Sequence, residues 1–259
     1  MYLEQRLEFI DSLPALPAVL AASRKMIISP RSLTNAPLHD INKPTASVMP
    51  DTIDAFLPGV SQQIIDDVNL CKLVMQNAAT KLYPEDAQLF EWYKYYVGGL
   101  DKLGWVIQNK NLETVTVRKI GLTMDQVALH VATALIGAGP AAILANVAQM
   151  AVDAVQKDPG AIQIFDRNRK TGTQAKFDIA PIWVDKSNQP NMLLNCISLD
   201  ARESTRGILF WKSTQQATTI QTGAVRTYLD TRTFSGLRSD LYAKYTEAGK
   251  KFIKDLPDF

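Results

Sequence analysis

The order of patterns along the chain predicts an α+β protein. Helical periodicity dominates from about residue 61 to residue 156, strand-length alternating runs follow Pro159, and one more helical pattern closes the sequence. The strict strand-helix alternation of a doubly wound fold is missing. With 259 residues, 46% of them apolar, the chain can bury a sizeable core without metals or disulfides. Its 28 basic and 26 acidic residues leave a formal charge of +2, which supplies no general attraction to nucleic acid or to an acidic membrane surface.

The N-terminal text predicts one short helix and then a proline-rich arm over residues 1–58, broken by Pro14, Pro17, Pro30, Pro37, Pro44, Pro50 and Pro58. Residues 59–259 are predicted to form a single α+β domain. Its first helix opens with Ser61 as N-cap, carries Ile64, Val68, Cys71, Val74 or Met75, and Ala78 along one stripe, and stops before Pro84. A second helix has Glu85 and Asp86 in its first turn and Leu89, Trp92, Tyr93, Tyr96 and Leu100 facing inward, with a kink expected at Gly98-Gly99. The run ETVTVRKIG alternates as a strand does, and Thr123 with Gln126 forms a capping box before a third helical segment.

From Gln126 to Val152, 27 residues contain no Asp, Glu, Lys or Arg. That length could span a bilayer. Its apolar residues are mostly Ala and Val, Gly137, Gly139 and Pro140 interrupt it, and Gln126, His130, Asn146 and Gln149 are scattered through it. The reading is therefore a buried apolar helical hairpin, with a hairpin that enters membranes conditionally as the alternative, and with His130 as a buried, hydrogen-bonded side chain. After Pro159, five strand-length runs, AIQIF, KFDIAPIWVD, NMLLNCISLD, GILFWKST and ATTIQTG, predict an antiparallel meander with a hairpin loop at KSNQPN. A docking helix from about Ser235 to Asp255 closes the chain, with Leu237, Leu241, Tyr245, Ala248, Phe252 and Leu256 at helical spacing.

Two cysteines and two histidines remove most site chemistry. A zinc site of Cys and His ligands would need all of Cys71, Cys196, His39 and His130, none in a paired spacing, so no metal is expected. No nucleophile signature accompanies either histidine. The N-terminus has Glu4, Glu8 and Asp11 where a secretory signal needs basic residues, so the expected compartment is the cytoplasm of the producing cell, with signal-independent secretion as the alternative.

One cofactor motif is present. LIGAGPAAILAN sets Gly137, Gly139 and Ala142 in a G-x-G-x-x-A frame, with Asp166 after the strand-like AIQIF in the position that holds a ribose hydroxyl. A small flavin- or nicotinamide-dependent oxidoreductase is therefore the alternative function. Against it, the text before Gly137 has helical spacing instead of the short strand such a site requires, and a meander follows instead of further βαβ units.

Cys196 lies on a predicted strand whose alternation puts Leu194, Cys196 and Ser198 on one face. Its thiol reads either as a small core side chain or as the attachment point of a fatty acyl chain. Several segments, GVSQQIIDDVNLCKLVMQNAA, EWYKYYVGGLDKLGWV, ALHVATALIGAG, ILFWKSTQQATTIQTG and KKFIKDL, together resemble a bacterial virulence-factor family typified by the Erwinia virulence factor, which promotes persistence in the insect gut. The resemblance covers roughly residues 59–256 and rests on diffuse aromatic and apolar positions. It implies an α+β fold without a known catalytic site, a fatty acid such as palmitate thioester-linked to a cysteine, membrane association, and toxicity to insects or other hosts. Cys196 is the position to which that cysteine carries over best, and Cys71 the lesser candidate. The apolar hairpin also resembles segments of gene-cluster-encoded cytotoxins, which implies a role beside other toxin components. The expected function is a non-enzymatic virulence factor or toxin component whose partner is host membrane lipid, with no nucleic acid and no dissociable cofactor. A third reading, a cysteine-dependent acyltransferase or thioesterase with an acyl intermediate on Cys196, would need His39 or His130 as its base.

Overall fold

The computed structural model describes residues 1–16, 39–117, 121–123, 126–127, 130–131, 138–166, 174–200, 212, 218–249, 252–256 and 258–259. The fold is α+β, built around a seven-stranded sheet. Helix α1 (Leu3–Ser12) precedes strands β1 (Thr45–Met49) and β2 (Thr52–Phe56), and helices α2 (Gln62–Leu82) and α3 (Leu89–Lys102) precede β3 (Trp105–Val117). Helices α4 (Ala138–Gln156) and α5 (Pro159–Phe165) follow, then β4 (Gln174–Val184), β5 (Pro190–Asp200) and β6 (Thr218–Leu229). Helices α6 (Thr231–Ser235) and α7 (Arg238–Gly249) and the two-residue β7 (Lys254–Asp255) end the chain.

The sheet order is β3-β6-β5-β4-β2-β1-β7. Strands β4, β5 and β6 form the expected antiparallel meander, with β3 paired antiparallel to β6. The KSNQPN hairpin loop is present: Asp185 Oδ1 accepts the backbone N–H groups of Ser187 and Gln189, and Asn188 takes φ 59°. GILFWKST lies outside the described residues except for Lys212, which bridges Thr123.

Three sequence expectations are corrected. AIQIF is helical, because Asp158 accepts from the N–H groups of Gly160 and Ala161 and Pro159 occupies the first turn, so a helix start outweighs the β propensity of its two isoleucines. Residues 45–56 of the supposed arm are a hairpin in the sheet, every residue of β1 and β2 buried, turned by Asp51 at φ 60° and joined in parallel to β4 through Ile53↔Ile179. Helix α3 includes Gly98-Gly99 and stops where Gly104, at φ 95°, redirects the chain into Trp105. The closing segment divides into α6, α7 and β7, and its apolar positions split between cores: Leu237, Leu241, Tyr245 and Phe252 join one, while Leu256 joins the other.

The sheet separates those two cores. On one face Met49, Phe56, Ile182, Met192, Leu194, Cys196 and Val225 pack with residues of α1, α2, α3, α6 and α7; on the other Val48, Ile53, Phe177, Ile179 and Ile197 pack with α4 and α5. Ser61 Oγ accepts from Ile64 N–H and starts α2, which is buried over most of its circumference, as Val68, Leu70, Cys71, Lys72, Leu73, Val74 and Met75 are all buried. Of the predicted apolar hairpin, α4 is the second helix, and Val127 and Val131 of the first share its core. The face of α4 turned away from that core exposes Ile143 and Met150. Among the described residues, no helix is long and apolar enough to cross a membrane.

Candidate functional site

The residues between α2 and the sheet are unusually polar for a core. Asn69, Lys72 and Gln76 are spaced three and four apart, so they share one helix face. Asn69 Nδ2 donates to Ser47 Oγ at 2.8 Å, Gln76 Nε2 donates to Thr52 Oγ1, and Ser47 in turn donates to Asp255 Oδ1 at 2.6 Å. Between them Lys72 Nζ donates to Asp54 Oδ1 and lies 2.6 Å from Asp178 Oδ2. The parallel β2–β4 register, Thr52↔Asp178 and Asp54↔Ala180, brings both carboxylates beneath this one ammonium. Asp178 Oδ1 also accepts the backbone N–H of Asn195 at 2.9 Å, and Asp54 Oδ2 is buried without a hydrogen-bond partner.

The cluster therefore holds one cation and two potential anions out of water, an unbalanced arrangement that favours retention of a proton. Burial, reinforced by the charge of Asp178 and opposed by Lys72, pushes the Asp54 carboxyl up to about 7. Burial likewise raises Asp178 against the pull of Lys72. Burial alone would lower Lys72, but Asp178 and Asp54 more than offset it and hold the ammonium above its ordinary value.

Cys196 borders this cluster. The pairs Phe177↔Ile197 and Ile182↔Met192 share one register, which sets Asp178 opposite Cys196 across the β4–β5 ladder; on the other side Cys196 pairs with Gly223 of β6. As expected from its alternation, Cys196 faces the same core as Met192 and Leu194. A Cβ at Gly223 would stand 2.7–2.8 Å from Cε1, Cζ and Cε2 of Tyr93. The phenol end of Tyr93, reaching down from α3, thus fills the place where a cross-strand side chain would sit beside Cys196. The hydroxyls of Tyr93 and Tyr96 are both buried and have no hydrogen-bond partner.

Burial, then the charge of Asp178, raises the Cys196 thiol, and Lys176 only partly opposes them. Burial raises both phenols, with Cys196 and Asp178 adding to it at Tyr93 and Asp178, Asp54 and Cys196 at Tyr96. At neutral pH the site presents a protonated thiol and two neutral O–H donors. An ionised nucleophile has no support there.

The other sequence candidates lie apart from this site. Cys71 is buried on α2 with its thiol raised by burial. His39 lies 2.7 Å from Asp258 Oδ1 through Nδ1 and 3.0 Å from the Val60 carbonyl through Nε2, an arrangement that ties the C-terminus to the start of the sheet. His130, expected to be buried, is exposed. Gly139 lies within α4, Gly137 lies outside the described residues, and Asp166 follows helix α5, where the dinucleotide fingerprint needs the end of a strand. Among the described residues no cluster of His, Cys, Asp or Glu is arranged to hold a metal ion.

Sequence reasoning identified Cys196 and the inward face of Tyr93 and Tyr96, but it missed Asp54, Lys72, Asp178 and Gly223. The available signal was the polar 69-72-76 stripe on an otherwise apolar helix. On a helix packed on one side such a stripe faces solvent, and only burial on several sides turns it into a site.

No protein-family model matches the chain, and no curated protein matches it. Among solved structures it is similar to "Structure of the Evf virulence factor", at 9% identity, covering 79% of this chain and 84% of that chain, with a TM-score of 0.37. This is a weak structural likeness to a virulence factor, without a match in sequence.

Proposed function

We propose that this chain is a non-enzymatic bacterial virulence factor or toxin component that acts at host membranes and carries a fatty acyl chain, palmitate or similar, as a thioester on Cys196. The observation that carries the reading is the setting of Cys196: a buried thiol facing the helix-covered core, opposite a glycine, beneath two phenol donors that lack acceptors. The residue-level resemblance noted in the sequence supports the same assignment. The outward Ile143 and Met150, on the part of α4 that precedes Asp153 and carries no charged residue, supply apolar surface for a lipid contact.

The protonated thiol also sets when acylation happens. Cys196 attacks as a thiolate, so the chain is loaded while the thiol is exposed, before α3 closes over β5: Sγ bonds to the acyl carbon of an acyl-thioester donor, and the donor's thiol leaves. Closure then shields the ester from water. Before release the protein resides in the cytoplasm of the producing bacterium, and its other partners are further toxin components.

Intact mass of protein isolated from its producing cells, with and without hydroxylamine, tests the acyl group. A fatty-acyl increment removed by hydroxylamine in wild type and absent in Cys196→Ser supports it. A wild-type mass equal to the bare sequence mass, 28.7 kDa, under thioester-preserving conditions overturns it. Sedimentation with anionic lipid vesicles, compared between wild type and Cys196→Ser, tests the membrane role.

A further inference from the structure

Buried hydroxyl donors in folded proteins almost always find acceptors, because an unpartnered donor gives up its bond to water for nothing. Tyr93 and Tyr96 depart from that rule together, one turn apart on α3, and the charges or dipoles acting on both include Asp178 and Cys196. Asp178 Oδ1 accepts from Asn195 N–H and its Oδ2 is paired with Lys72, and neither phenol bonds to Asp54 Oδ2, which is itself buried without a hydrogen-bond partner. The Cys196 thiol offers the phenols only a weak sulfur acceptor. Tyr93 is also held in place, since its ring atoms Cε1, Cζ and Cε2 abut Gly223, the cross-strand partner of Cys196.

We propose that the hydroxyls of Tyr93 and Tyr96 bind the carbonyl oxygen of an acyl thioester on Cys196, with Tyr93 as the principal donor. The inference rests on the acyl reading and assigns two positioning residues to it. Acylation places a carbonyl oxygen two bonds from Sγ, on the side where the phenol of Tyr93 already stands, and supplies the acceptor both donors lack. Both phenols are neutral at physiological pH and keep their protons for that bond.

The test uses intact protein from producing cells fed fatty acid labelled with carbon-13 at the carboxyl carbon, and reads the thioester carbonyl band by infrared difference against Cys196→Ser. The expected band in native wild type lies below that of an alkyl thioester in dry hydrocarbon, moves to higher wavenumber in Tyr93→Phe, and moves further in Tyr93→Phe/Tyr96→Phe. Hydroxylamine-released mass is measured in every variant, and Phe retains the ring that packs on Gly223. A labelled band at the dry-hydrocarbon position in native wild type, or unmoved by the double substitution, overturns the inference while leaving acylation standing; the phenols then bind internal water only. Absence of hydroxylamine-sensitive mass in wild type overturns the acyl reading and this inference with it.

Discussion

Lys72 Nζ lies 2.6 Å from Asp178 Oδ2 inside the core, with both side chains at or below 4% exposure, and the same ammonium donates to Asp54. One cation thereby joins α2 to two parallel neighbouring strands. Such a cluster is a weak source of net stability, because desolvating three ionisable groups offsets most of their attraction, yet it is costly to disrupt one partner at a time.

Lys72→Met is therefore expected to destabilise the protein by about 3–5 kcal/mol, since it leaves two carboxylates buried without a cation. Asp54→Asn removes the surplus negative charge and is expected to cost far less. Combining Lys72→Met with Asn at both 54 and 178 recovers part of the loss. Urea denaturation at pH 7 of the four proteins checks the order. A single Lys72→Met as stable as wild type would contradict the buried pairing.

The pH dependence follows from the raised carboxyls. Asp54 titrates at 3.8 when unfolded and at about 7 when folded, so between these values the native state binds the extra proton. The stabilisation from this group is present on the acid side and is lost as pH rises from about 4 to 7, then levels off. Asp178 acts in the same direction. Asp158, Asp230 and Asp258 are lowered and act only below the ordinary carboxylate range. Wild type minus Asp54→Asn stability, measured across pH 4–8, should slope downward with rising pH; an upward slope would refute the assignment.

Gly223→Ala is expected to cost about 1–3 kcal/mol, because the new methyl meets the Tyr93 ring at 2.7 Å. Tyr93→Leu should relieve part of that cost, giving a coupling energy in a double-mutant cycle. Additive effects would show that the ring does not occupy the cross-strand position beside Cys196.

Both thiols are buried and raised, so Ellman's reagent is expected to react with native protein only as fast as the protein opens. In denaturant the count separates the chemistry: two free thiols for bare protein, one for protein acylated on Cys196. Rapid labelling of Cys196 in the native state would mean that α3 does not seal the strand.

The elements with strong local signals were readable from residue pattern. Ser61 and Pro84 bracket α2, KSNQPN turns the β4–β5 hairpin, and strand alternation assigned the face of Cys196. AIQIF misled because an Asp-Pro helix start and a β-rich pentapeptide make opposing predictions, and the Asp158 cap prevails. Strands β1 and β2 were hidden by their proline-rich surroundings and by distant partners, β4 for β2 and β7 for β1, each more than 120 residues onward, which no local period reveals.

By itself, the sequence determined the α+β class, the meander, and a cysteine directed inward, because these depend on short-range periodicity and turn chemistry. Only the tertiary structure decided that Lys72 lies in the core, that Asp54 and Asp178 share it, and that Tyr93 stands over Gly223 beside Cys196. Those relationships arise where separate elements remove the same side chains from water, and the free energy of that removal belongs to the contact, not to any one segment.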